Sequence, residues 1–208
     1  MPSNSSGVAL PNNLWLRWLL GNLAAFIVSY ALMGTIDVLV DALGAHGVTA
    51  IGIGGHFLAL ALGAAIVAAV QAFLVRDYFA RKAQWAVTVW LAYVTAFLAG
   101  ETIGGLPLGL LVSFTLFGAF GGVLQIRLMR RHGFPAIRWA LGSCLGWGAG
   151  GAVASGLLLA AALADRAIIG NLPVPLALGI IGGIGGGVGA ALTGPLLEWV
   201  LHHRSANA

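Results

Sequence analysis

Charge is what this sequence has least of. Ten Lys or Arg and six Asp or Glu make 8% of 208 residues, where a soluble domain carries about 25%. That scarcity excludes an ordinary water-soluble domain. With 60% hydrophobic residues and a mean hydropathy of +0.97, a bilayer is the expected solvent. Cysteine is almost absent as well. Cys144 stands alone inside an apolar run, so no intramolecular disulfide or cysteine-built metal centre is expected. A basic n-region is missing from the opening "MPSNSSGVALPNN", and the apolar run after it is long enough to remain as a membrane helix. No cleavable signal peptide is therefore expected.

What is abundant is long apolar runs and glycine. A spanning helix needs about 20 mainly apolar residues. Six runs qualify, at Leu14–Val40, Ile51–Val75, Trp85–Gly100, Leu106–Met129, Ile137–Ala164 and Leu176–Leu201. Residues 1–13 read as a flexible tail, 14–203 as one six-helix membrane domain, and 204–208 as a second tail. The 32 glycines weaken soluble helices but let membrane helices approach closely.

The few charges set the orientation. Nine of the ten Lys and Arg fall on one side: Arg17, Arg76, Arg81, Lys82, Arg127, Arg130, Arg131, Arg138 and Arg204. Arg166 falls on the other, with Asp37, Asp41, Glu101 and Asp165. The excess of basic residues predicts a cytoplasmic face there, with both termini inside a bacterial cytoplasmic membrane. The net charge of +4 suggests topology rather than nucleic-acid binding, since the basic residues flank apolar spans.

"QAFLVRDYFARKAQW" (71–85) and "QIRLMRRHGFPAIRW" (125–139) match in register, offset by 54 positions. Both are turns between apolar runs, so helices 2–3 and 4–5 read as two copies of one hairpin. A third copy is completed by helices 6 and 1, cut open at its turn. "RWLLG" (17–21) resembles "RWALG" (138–142), and "GPLLEW" (194–199) lies on "GGVLQI" (121–126). The predicted fold is an all-α integral membrane six-helix bundle of three helical hairpins, with a circularly permuted pseudo-threefold repeat.

The threefold aligns Trp18, Trp85 and Trp139, which read as anchors at the headgroup boundary. Deeper come Ala25, Ala92 and Gly146, then Phe26, Tyr93 and Trp147, a small-then-aromatic pattern suited to close packing. It also aligns Gln71, Gln125 and Glu198, a candidate polar ring in which Glu198 is positioned to pair with Arg127 or Arg17. In helix 6 the rows Gly179, Gly183, Gly187 and Gly182, Gly186, Gly194 make a glycine zipper for helix packing. The same rows offer a docking face for a membrane-protein partner or a second copy of the chain. Pro195 is expected to kink this helix.

On the acidic side, Asp37 and His56 are nearly equidistant from the first turn, and Glu101 ends helix 3 nearby. The three form a candidate outer cluster. An imidazole beside carboxylates titrates or binds metal, but one His does not define a metal site and none is assigned. His132, His202 and His203 read as basic-loop and tail residues. Ser113, Ser143 and Ser155 have no facing base, so no catalytic constellation is assigned and a non-enzyme is expected. Mitochondrial carriers are excluded because their Pro-x-acidic-x-x-basic signature is missing from the odd helices. The expected function is permease-like transport of a small solute. The alternative is an accessory or scaffold subunit of a larger membrane complex, holding lipid or pigment. No particular cofactor is implied.

Overall fold

The computed structural model describes residues 13–43, 50–79, 81–104, 107–131, 133–163 and 172–203. The two tails apart from Asn13, with Arg204, lie outside the described residues, as do His132, Asp165 and Arg166. The helices are α1 (Leu14–Ala42), α2 (Ala50–Leu74), α3 (Lys82–Gly104), α4 (Leu108–Arg131), α5 (Ala136–Leu163) and α6 (Val174–His202). All six are long and apolar enough to cross a membrane, as a multi-pass membrane protein requires.

Local chemistry sets the ends. α3 extends beyond its apolar core because Lys82 and Gln84 occupy its first turn and Glu101 and Thr102 its last. The Thr102 hydroxyl turns back to the Leu98 and Ala99 carbonyls. After α4, Gly133 takes a left-handed φ of 72°, and the N–H of Phe134 donates to the Met129 carbonyl at 3.0 Å. Glycine accepts that backbone without strain, which allows the chain to reverse into α5. Pro175 sits in the first turn of α6, where its missing N–H costs no helix bond. α6 stays a single helix across Pro195.

Each helix packs on the helices before and after it in the chain, and α6 closes against α1. The result is a ring of six. Its outer surface is aliphatic and aromatic: Leu20, Val28, Leu58, Leu91, Val123, Leu145 and Ile184 are all exposed. The polar groups lie inside, where Asn22, Ser29, Gln71, Ser113, Gln125, Ser143 and Thr193 are buried. This inverted arrangement suits lipid outside and hydrogen bonds within.

The glycines of α6 are consumed by packing inside the chain. Gly179, Gly182, Gly183, Gly186 and Gly187 face α1, where added Cβ atoms would meet Ile27, Ala31, Tyr30, Phe26 and Leu23. Gly194 faces Trp15 and Trp18. On the other side, Gly185 and Gly189 face Gly150, Ala154 and Trp147 of α5. The expected docking face for a partner is therefore covered by α1 and α5. What α6 turns outward is Leu176, Ile180, Ile184 and Leu192.

Aromatic side chains fill the middle of the ring and one end. Trp18, Trp85 and Trp139 are 0%, 0% and 2% exposed. Trp139 meets Trp18 at 6.4 Å and Trp85 at 6.0 Å between ring centroids. The expectation that these three anchor the headgroup boundary is overturned, because their rings point inward and pack on one another. Phe79 meets Trp85 in a tilted pair at 5.0 Å and Phe134 at 5.6 Å. Deeper, Phe26 lies 6.0 Å from Tyr93 and 5.3 Å from Trp147, with Phe114 and Phe117 wedged between. Such ring pairs add attraction beyond the area that they bury.

Candidate functional site

At the acidic end the aromatic filling stops and a pocket of about 260 Å³ opens. All six helices contribute to its wall. Tyr30, Met33 and Asp37 come from α1, His56 from α2, Phe97 and Glu101 from α3. Gly109, Leu110 and Ser113 come from α4, Leu158 from α5, and Leu178 and Ile181 from α6. The lining is mainly apolar, with its charged side chains confined to Asp37, His56 and Glu101.

The geometry of those three follows from the helix pairs. α1 and α2 are an antiparallel pair, so Asp37 and His56 reach one level, and α3 ends beside them with Glu101. His56 Nε2 lies 2.9 Å and 3.0 Å from the two Glu101 carboxylate oxygens. Its Nδ1 lies 3.9 Å from Asp37 Oδ1, too far for a hydrogen bond but close enough for electrostatic attraction. The side chains of His56, Asp37 and Glu101 are all more than a third exposed, so the cluster is reachable from the acidic end. Among the described residues, no three His, Cys, Asp or Glu side chains are arranged to hold a metal ion.

Tyr30 supplies a polar atom that sequence reasoning missed. It is 4% exposed, and its hydroxyl has no hydrogen-bond partner among the described residues. A buried hydroxyl without a partner costs free energy. Its neighbour Tyr93 is satisfied, with its hydroxyl 2.9 Å from Ser29 Oγ. The sequence held little signal for Tyr30, since an aromatic residue in an apolar helix reads as core.

The candidate polar ring is only partly assembled. Gln71 and Gln125 are both buried. Gln71 Nε2 donates to Asn22 Oδ1 at 2.6 Å, and Trp139 Nε1 donates to Gln125 Oε1 at 2.6 Å. Asn22 in turn donates to the Trp18 carbonyl at 2.8 Å. Trp18 Nε1 donates to Thr193 Oγ1 at 3.0 Å. Glu198 does not join them: it is only partly buried, and no ion pair links it to Arg17 or Arg127 among the described residues. These polar groups pin the tryptophan layer rather than line an opening. Asn22 was the missed member; an Asn inside an apolar span is itself a signal.

Comparisons with known proteins find no matching family model, no matching curated protein and no matching solved structure.

Proposed function

We propose that this chain is a non-catalytic, permease-like membrane protein that receives a small amphipathic solute from its acidic side. The observation that carries the reading is the pocket to which all six helices contribute, with a carboxylate-rich mouth and Tyr30 in its wall. Its volume of about 260 Å³ lies just below the roughly 300 Å³ at which drug-sized sites begin, which favours a small ligand. The carboxylates favour a cationic or hydrogen-bond-donating head, and Met33, Phe97, Leu110 and Ile181 favour an apolar body. In this reading the basic end is cytoplasmic and the solute arrives from outside.

The same proposal takes the ring as three hairpins with a cut third copy. Two sets of aligned residues support it: Trp18, Trp85 and Trp139 converge in one layer, and Phe26, Tyr93 and Trp147 in the next. One departure from symmetry is informative. Gln125 accepts from Trp139, but its counterpart Gln71 donates to Asn22, and Trp85 Nε1 is left without a partner among the described residues.

A second reading, an accessory subunit holding a lipid or pigment, is favoured by the pocket's apolar walls and by the aromatic filling beneath it. Uptake of small organic cations into proteoliposomes separates the two. Glu101→Gln and Asp37→Asn are each expected to lower uptake at least tenfold while the protein stays folded. Unchanged uptake in both variants would overturn the transport reading. A tightly held apolar molecule in the purified protein, found by mass spectrometry, would replace it with the second.

A further inference from the structure

At the opposite end of the ring, a groove of about 580 Å³ runs between α3 and α4. Arg81 stands at its α3 side, with Arg127 and Arg131 on α4. The last two are four residues apart and share one helix face. All three are exposed, and no acidic or aromatic side chain partners them among the described residues. Two other basic side chains at this end have partners. Arg76 pairs with Asp77 at 3.6 Å and lies 4.0 Å from the Phe73 ring, and Arg138 lies 4.9 Å from the Trp199 ring. Arg17, Lys82 and Arg130 are exposed as well, but Arg81, Arg127 and Arg131 are the ones that line a shared groove, beside the positive end of the α3 dipole.

The groove changes character with depth. Gln84 joins the arginines near the end of the bundle, while Val87 and Leu124 lie deeper and are exposed on the outer surface. Leu124 precedes Arg127 by three residues, roughly 4.5 Å along the helix. A cationic seat above an aliphatic slope matches one kind of ligand, a phosphate with acyl chains attached. We propose that the α3–α4 groove binds the headgroup of an anionic phospholipid, with the chains lying over Val87 and Leu124. Basic clefts between spanning helices suit such headgroups electrostatically. The inference does not depend on the pocket at the acidic end.

The test uses the full-length protein in mild detergent. Native mass spectrometry reads the retention of added phosphatidylglycerol or phosphatidylcholine, and thermal unfolding reads stabilisation by each lipid and by inorganic phosphate. The wild type is expected to retain phosphatidylglycerol selectively and to unfold at a higher temperature with it. The double variant Arg127→Gln, Arg131→Gln is expected to bind it about 25-fold more weakly, roughly fivefold per arginine. Arg81→Gln alone should lose about fivefold, and Arg130→Gln, outside the groove lining, should lose nothing. Equal retention by the double variant, or by Arg81→Gln if the double variant does not fold, would overturn the proposal. So would equal stabilisation by phosphatidylcholine. Stabilisation by inorganic phosphate alone to the same extent would assign the groove to a soluble anion instead.

Discussion

The two ends of the ring are built from the same six helices but solve opposite problems. At the basic end, three tryptophans meet in one layer and hydrogen bonds pin two of them, Trp18 to Thr193 and Trp139 to Gln125. At the acidic end no equivalent layer exists among the described residues, and a pocket remains with charged groups at its mouth. The difference shows what closes a helical ring in lipid. Lipid tails are as apolar as the core, so no hydrophobic force draws the rings together; close packing and buried hydrogen bonds must do it. Where large rings and their polar partners converge, the axis is filled. Where the residues are Met33, Ser113 and Gly109, it is open.

The largest expected effect comes from breaking what holds both ends together. A Cβ at Gly150 would collide with the carbonyl oxygen of Gly185, a backbone atom that cannot swing aside. Gly150→Leu is therefore expected to cost more than about 3 kcal/mol and to abolish recovery of monodisperse protein. Gly156 lies on the same helix, and among the described residues no neighbouring helix comes within 4 Å of an added Cβ. Gly156→Leu should behave as wild type in size-exclusion chromatography. Equal behaviour of the two variants would refute the close α5–α6 approach.

A smaller effect is expected from unpicking the closed end. Trp139→Ala removes a ring that touches both other tryptophans and strands the Gln125 oxygen, so a loss of about 3–5 kcal/mol is expected. Trp85→Ala removes a similar volume but no indole hydrogen bond, since Trp85 Nε1 has no partner among the described residues. Its cost should be lower by about 1 kcal/mol. Thermal unfolding of the two variants in one detergent measures this difference; a larger loss for Trp85→Ala would refute the contrast between the two indoles.

Much of this contrast is legible in the sequence. Helix number and approximate ends followed from apolar length, because every backbone group in a bilayer must bond within its own helix. The Asp37, His56 and Glu101 cluster followed from counting residues back from a short turn, which fixes depth in an antiparallel pair. The tryptophan set was found by its repeated spacing but assigned to the wrong surroundings. Spacing gives depth along a helix; it does not say which way the helix is rotated, and tryptophan is at home both at a headgroup boundary and in a packed core. Glu198 illustrates a limit of alignment, since no hydrogen bond joins its side chain to Gln71 or Gln125 among the described residues. The glycine rows announced close packing, but their partners, α1 and α5, emerge only when the ring closes.

The smallest effect gives the sharpest view of the open end. Tyr30 and Tyr93 are both buried aromatic residues in the same cluster, and they differ in what their hydroxyls meet. Tyr93→Phe removes a hydrogen bond to Ser29 and leaves that serine without it, so it is expected to destabilise by about 1 kcal/mol. Tyr30→Phe removes a hydroxyl that has no partner among the described residues, so it should be neutral or stabilise by up to about 1 kcal/mol. Binding should respond in the opposite order. If the pocket's ligand bonds to Tyr30, Tyr30→Phe weakens its affinity several-fold while the folded protein gains or holds its stability. Tyr93 lies outside the pocket lining, so Tyr93→Phe should leave affinity unchanged. A Tyr30→Phe variant that loses stability and keeps its affinity would place the hydroxyl's partner within the protein.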